Sequence, residues 1–224
     1  MRNLLCIIPA AGLGTRMGEL FKDTPKCLLE VNGKPLVRHV VEYWLPFAEE
    51  IVIVIAREHV VAWGADSPTP LVRYVVQPEP NGPVDAVLLA LEEVHCPRNF
   101  MVALGDCLCD GTFDLSSLGD DEHGVAVHID DAGEWGRSYS VGVYDDVSGA
   151  QVSREVCSVI EKPALGLGYY WFSWHALPAL KKCRHSTMTA VVQELVESGQ
   201  AVRPVPFCGS YRNVTYPVDL DGWT

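Results

Sequence analysis

Positive charge is scarce in this sequence: its 224 residues carry 17 Lys and Arg against 29 Asp and Glu, a formal net charge of −12. A nucleic acid would need a broad basic face, so that class of partner is excluded, whereas a few local cations and a metal ion suffice for a small anion. Long apolar runs are missing too. Nothing approaches the roughly 20 residues of a membrane span, and the short run in "MRNLLCIIPAAG" is broken by Pro9, so it reads as a first strand rather than a targeting segment. No linker rich in Ser, Gly or Pro is present, and no low-complexity tract or repeat. The eight cysteines follow no disulfide-rich secreted pattern, which points to reduced thiols in a cytoplasmic protein. Cys107-Leu-Cys109 and Cys183-Arg-His185 lack partners at zinc spacing, which speaks against a structural zinc site.

Two common phosphate fingerprints are also absent. In "IPAAGLGTRMG" at 8–18, Met17 stands where a dinucleotide motif would have its third glycine, and no acid ends a second strand to take a ribose. No Gly-Lys-Ser/Thr follows either. What is there is an apolar strand running into a glycine-rich turn. Gly12 and Gly14 can take positive φ and let a ligand approach the backbone, while the turn's amides point at an anion. Arg16 and, further on in "TPKCLLEVNGKP", Lys26 supply positive charge beside it.

Apolar runs then alternate with helical patterns, as in an α/β domain with a mostly parallel sheet. "PLVRHVVEYWL" places Val37, Val40, Val41, Trp44 and Leu45 on one helical face after Pro35. "IVIVIA" at 51–56 is continuously apolar, as a strand covered on both faces should be, and "LVRYVVQ" at 71–77 is a third strand. "PVDAVLLALEEV" at 83–94 is a helix turning Val84, Val87, Leu88 and Leu91 inward. "FMVALGD" at 100–106 is a fourth strand ending in an acid, Asp106, where ligands of such sheets bind. From residue 124 the strands "GVAVHI", "YSVGVY", "VCSVIEK" and "YYWFSW" suggest antiparallel hairpins extending the sheet. "MTAVVQELVES" at 188–198 is the last clear helix, and "VRPVPF" and "YRNVTYPVDL" close the chain.

The stretches "PAAGLGTRM…TPKCLLEVNGKPL", "QPEPNGPVDAV", "VALGDCLCDGTFDL", "YSVGVYD…VIEKP", "YYWFSW" and "NVTYPVDL" together resemble, in order and along nearly the whole chain, the sugar-nucleotide pyrophosphorylases, closest to the glucose-1-phosphate thymidylyltransferase branch. The resemblance implies a Rossmann-like three-layer α/β sandwich with a mixed, mainly parallel sheet. It implies a single domain over residues 1–224, with a nucleotide-binding half (1–120) and a sugar-phosphate-binding half (121–224). The implied reaction joins dTTP or UTP to a sugar-1-phosphate with Mg²⁺ and releases pyrophosphate.

The same resemblance assigns roles. Ala10, Ala11, Gly12, Leu13, Gly14 and Thr15 would wrap the nucleotide, Arg16 would hold the leaving pyrophosphate, and Lys26 would steady the α-phosphate. Asp106 would be the first metal ligand and Asn213 the second, the latter standing where thymidylyltransferases carry an aspartate and N-acetylglucosamine-1-phosphate uridylyltransferases an asparagine. Asp219 or Asp221 is the substitute if the alignment slips. Gln77, with the backbone near Gly82, would read a pyrimidine edge, since one carboxamide both donates and accepts. Glu161 and Lys162 would take a sugar hydroxyl and the sugar phosphate, and Ser140, where glycine is usual, would narrow the sugar pocket. Asp85 is an extra metal-shell acid or, the preferred reading, a helix N-terminal charge. Among Trp171, Phe172 and Trp174 at least some belong to the core. The other readings are a cytidylyltransferase acting on a non-sugar phosphate such as phosphocholine, and a catalytically silent nucleotide-sugar sensor. Because the sequence ends soon after "NVTYPVDLDGW", where the thymidylyltransferases continue into further helices, a monomer or homodimer without an effector pocket is expected.

Overall fold

The computed structural model describes residues 4–12, 14, 17, 24–63, 69–95, 98–116, 118–128, 140–143, 150–153 and 162–220. In chain order its strands are β1 (Leu5–Pro9), β2 (Glu30–Val31), β3 (Lys34–Pro35), β4 (Glu50–Ala56), β5 (Val72–Gln77), β6 (Phe100–Ala103), β7 (Cys107–Phe113), β8 (His123–His128), β9 (Ser140–Val143), β10 (Ala150–Ser153), β11 (Lys162–Phe172) and β12 (Val202–Asn213). The helices are α1 (Leu36–Trp44), α2 (Val60–Trp63), α3 (Pro83–Val94), α4 (Leu177–Lys182) and α5 (Met188–Glu197).

Side chains on the first strands alternate between two separate cores. Cys6, Ile8, Ile51, Ile53, Ile55, Met101 and Ala103 enter one, with Leu36, Val37, Val40, Val41 and Trp44 of α1. Leu5, Ile7, Val52, Val54, Phe100 and Val102 enter the other, with α3, α4 and α5. The continuous apolar runs of β1 and β4 are therefore explained by burial on both faces of one sheet, and the expected three-layer α/β sandwich is the observed fold.

The sheet runs β5-β4-β1-β6-β11-β8-β12-β7, with β9 attached to β11 and β10 to β9. β5, β4, β1 and β6 are mutually parallel. β11 is antiparallel to both β6 and β8, β12 is parallel to β8, and β7 returns antiparallel to β12. The sheet is thus mixed and mainly parallel, as expected. Among the described residues no helix is long and apolar enough to cross a membrane.

Several boundaries differ from the sequence reading. The strand expected over 100–106 stops at Ala103, because the chain turns at Gly105, where a Cβ would meet Cys27 Sγ at 3.0 Å and Pro9 O at 3.4 Å. A further strand, β7, starts immediately afterwards. "VRPVPF" and "YRN" are one long strand, β12, which pairs with β8 through Pro206 and with β7 from Phe207 onward. Gly111 and Gly209 face each other in that second ladder, and a Cβ on either would lie 2.2 Å from a carbonyl oxygen of the partner strand. The strand expected at "VCSVIEK" lies outside the described residues except for Lys162, which opens β11.

Candidate active site

The parallel strands deliver their carboxyl ends to one cavity of about 510 Å³, as a doubly wound sheet requires. Its wall is Pro9, Ala10, Ala11, Gly12 and Gly14 after β1, Lys26 and Cys27 from the next segment, Gln77, Pro80, Gly82, Pro83 and Ala86 from the end of β5 and the start of α3, and Leu104 and Asp106 after β6. Gly14 has φ +61 and packs against Lys26, whose Cβ a side chain at position 14 would meet at 3.1 Å. At Gly12 a Cβ would meet nothing within 4 Å. Gly14 is thus required by backbone conformation, whereas Gly12 leaves the cavity side of the turn open for close approach.

Opposite charges meet at one end of the cavity. Lys26 Nζ lies 2.7 Å from Asp106 Oδ2, with side chains 14% and 29% exposed. Such restricted solvent access strengthens the pair relative to a surface bridge. The Gly105 turn packs against Cys27 and so brings Asp106 to Lys26. Burial, reinforced by the Asp106 charge, pushes the Cys27 thiol up to about 12. Asn213, at the end of β12, is registered against Cys107 at the start of β7, and Val214 N donates to Asp106 O at 2.9 Å. The ladder therefore brings residues 106 and 213, far apart in sequence, to the same corner. Asn213 Oδ1 also accepts from Thr215 Oγ1 at 3.3 Å. Asp219 turns its carboxylate to the amides of Thr215 and Tyr216, at 2.9 and 2.7 Å, and so closes a turn. Asp221 lies outside the described residues.

At the β5 end, Gln77 is 4% exposed and faces the cavity. Gly82 has φ +99 and precedes α3, and the turn between α4 and α5 packs on it, Ser186 O lying 3.4 Å from where its Cβ would be. Asp85 sits in the first turn of α3, 5% exposed, as the helix reading had it. Its carboxylate faces that same turn rather than a metal shell: Arg184 Nε is 2.6 Å from Oδ1 and His185 Nδ1 2.6 Å from Oδ2.

Other expected residues are placed elsewhere or not described. Leu13, Thr15, Arg16 and Glu161 lie outside the described residues. Ser140 and Lys162 are on neighbouring strands, at opposite ends of the ladder joining β9 to β11. Trp171 and Phe172 are each 2% exposed and belong to the two opposite cores, and Trp174 is 45% exposed; none of the three lines the cavity. Nothing in the sequence marks Cys27, Pro80, Ala86 and Leu104 as wall residues, and Cys107, weighed there only as half of a zinc pair, stands behind Asp106. Their only sequence signal is adjacency to Lys26, Gln77, Gly82 and Asp106, because apolar and thiol side chains do not announce themselves as ligands.

Cys107 is fully buried, with its Sγ 3.6 Å from Asp106 Oδ1 and 3.2 Å from Tyr211 Oη. Burial first, then the Asp106 charge, holds its thiol well above the usual range, and burial does the same for the Tyr211 phenol. Both remain protonated donors at neutral pH.

The family model described as the MobA-like NTP transferase domain matches residues 6–198. A UTP–glucose-1-phosphate uridylyltransferase of Haloferax volcanii is 26% identical over 233 residues, spanning 96% of this chain and 93% of that protein. Among solved structures, a UTP-bound UGPase from Acinetobacter baumannii aligns with a TM-score of 0.80 at 18% identity, covering 97% of this chain and 90% of that one. An inositol-1-phosphate CTP transferase from T. maritima aligns with a TM-score of 0.74 at 16% identity, covering 97% and 91%. These two likenesses are of fold. The family match covers most of the chain, which is therefore a nucleotidyltransferase belonging to the MobA-like NTP transferase domain family.

Proposed function

We propose that this chain transfers a nucleotidyl group from UTP or dTTP to a sugar-1-phosphate, with Mg²⁺, giving a nucleotide-sugar and pyrophosphate. The observation that carries this reading is a cavity holding both a buried carboxamide, Gln77, and the ion pair of Lys26 with Asp106. A uracil or thymine edge offers an acceptor beside a donor, which one carboxamide can satisfy. The triphosphate brings the negative charge that an ammonium answers. The named activity of the Haloferax relative, similar along nearly its whole length, supports the same choice of substrates.

In this reaction an oxygen of the sugar phosphate attacks the α-phosphorus and forms a new P–O bond. The bond from the α-phosphorus to the bridging oxygen breaks, and its electron pair leaves with pyrophosphate. Catalysis then rests on alignment and on neutralising charge, without a covalent enzyme intermediate. Lys26 exchanges Asp106 for the α-phosphate, backbone amides of the Ala10–Gly14 turn hold phosphate oxygens, and Arg16 takes the leaving pyrophosphate. Asp106 and Asn213 are the metal residues: each presents oxygen, which a hard cation prefers, and strand pairing brings them together. Held by Asp106 and Asn213, Mg²⁺ would supply positive charge to offset that of the phosphates. Ser140, Glu161 and Lys162, in the half after residue 120, are assigned to the sugar phosphate.

The test is a panel of four nucleoside triphosphates crossed with several sugar-1-phosphates, read as Mg²⁺-dependent pyrophosphate release. UTP or dTTP should lead, poorly separated from each other because only a methyl group distinguishes their bases. A preference for CTP with a non-sugar phosphate would move the chain to the cytidylyltransferase reading. Absence of release in every combination, with nucleotide-sugar still bound, would make it a sensor.

A further inference from the structure

Behind the Asp106 carboxylate lies a set of polar groups that the reaction above leaves unused. Gly168 N–H donates to Tyr211 Oη at 3.2 Å. Tyr211 Oη is 3.2 Å from Cys107 Sγ, and Cys107 Sγ donates to Asp106 Oδ1 at 3.6 Å. A thiol has one proton, and here it is given to the carboxylate, so the contact between tyrosine and sulfur is made by the Tyr211 proton. The protons therefore all point one way, from the Gly168 amide through phenol and thiol to Asp106. The seat of the sulfur is shaped for it, since a Cβ on Gly168 would lie 2.3 Å from Sγ. Tyr169 Oη donates to Cys107 O at 2.6 Å and fixes the same residue's backbone.

We infer that Cys107, backed by Tyr211, is a positioning residue for Asp106: it tethers Oδ1 so that Oδ2 is presented to the cation that occupies the site. The inference rests on the proposed reading of Asp106 as a metal ligand. In the structure Oδ2 is engaged by Lys26. When that ammonium turns to phosphate, the thiol still fixes the carboxylate's rotation, so a metal ion meets an oriented ligand. Partners that orient a metal ligand commonly change metal affinity 10–100-fold on removal. A thiol is a weak donor, so about tenfold is expected here.

The experiment titrates Mn²⁺ alone against the intact protein and follows the electron paramagnetic resonance signal of free Mn²⁺, with circular dichroism as the check on folding. Cys107→Ala and Tyr211→Phe should each weaken Mn²⁺ binding, by about tenfold for the first and less for the second, and Cys107→Ser should restore most of the affinity. Tyr211→Phe keeps the ring in place and removes only the hydroxyl, so it serves if Cys107→Ala does not fold. Asp106→Asn is the control for the underlying reading. No Mn²⁺ binding by the unmodified protein, or unchanged binding by Asp106→Asn, removes the metal assignment itself. Loss of binding in Asp106→Asn with wild-type affinity in the folded Cys107→Ala and Tyr211→Phe variants overturns the positioning role alone. Failure of Cys107→Ser to recover what Cys107→Ala loses also overturns it, by assigning the loss to packing.

Discussion

The Lys26 ammonium and the Asp106 carboxylate lie 2.7 Å apart, so each answers the other's charge until a substrate brings charges of its own. Asp106→Ala should leave a folded protein with turnover reduced by about two or more orders of magnitude, the scale of removing an electrostatic stabiliser at a reacting phosphate. Near-normal turnover would remove Asp106 from the reaction. Lys26→Ala should act in opposite senses on two readouts: turnover falls, while Mn²⁺ binding without nucleotide tightens because Oδ2 loses its competing cation. A parallel fall in both would show that Lys26 supports the metal site rather than competing for it. Gln77→Leu should flatten the ranking among triphosphates in kcat/KM. The discrimination expected of the wild type would rest on buried polar groups left unpaired by the wrong base, at about 1–3 kcal/mol, and an undiminished preference would place base reading elsewhere. Lys26 and Asp106 were legible in the sequence because each is charged beside an apolar strand or glycine turn, and Gln77 only through the family resemblance. Cys107 and Tyr211 were not, since their meaning lies in a contact across 104 positions.

Among the elements, the ladder between β7 and β12 decides where Asn213 stands relative to Asp106. Gly111 and Gly209 let the two backbones approach there, and Tyr43 Oη donates to Gly111 O at 2.8 Å. Alanine at either glycine would force backbone atoms apart, so each should destabilise by at least about 1–3 kcal/mol, the usual scale of overpacking. An unchanged denaturation midpoint would show that the crossing is not tight. β8 is held differently: Ser173 N donates to His123 Nδ1 at 3.2 Å, and Nε2 is left to donate to Gln200 Oε1 at 3.0 Å, which defines a neutral imidazole. Burial is the main cause that holds His123 below its usual range, with the Gln200 bond opposing and the nearby His175 and Glu122 acting in opposite senses. The folded value is depressed, so the unfolded chain takes up the proton first and stability falls as pH drops below about 6.5. The melting temperature should therefore decline between about pH 7 and pH 5, and His123→Gln should lessen that decline. An identical pH profile in the variant would assign the decline to other groups. β1, β4, β5, α1, α3 and α5 were legible from apolar periodicity. β7 was not, because "CLCDGTF" looks like a loop until β12 lies beside it.

For the molecule as a whole, a ligand bound between elements from both sides of the sheet stabilises all of them together by mass action. UTP with Mg²⁺ at about a hundred times its dissociation constant should contribute about 2.7 kcal/mol, a rise of about 5–10 °C in melting temperature for a chain of this size. The rise should shrink in Gln77→Leu and Asp106→Ala. No shift with any pyrimidine triphosphate would contradict the proposed substrate class. The excess of acidic residues leaves the Ala10–Gly14 turn and a few cations to attract the triphosphate, so binding should weaken only modestly with salt, unlike recognition of a phosphate polymer.

The order and type of most elements, the two-sided burial of the sheet and the position of the glycine turn were fixed by local information: apolar periodicity, glycine at the turn, and an acid where a strand ends. The sequence also pointed to Lys26 and Asp106 as candidates, since charged groups beside a glycine turn or a strand end have few structural duties, and to Gln77 through the family resemblance. Tertiary structure alone decided that Asp85 faces Arg184 and His185, that Asp219 closes a turn, and that Asn213 reaches the corner of Asp106 through β12. It also decided which atoms stand behind Asp106. Such outcomes depend on strand order and register, which join residues distant along the chain, whereas a pattern of residue types records only what each segment prefers by itself.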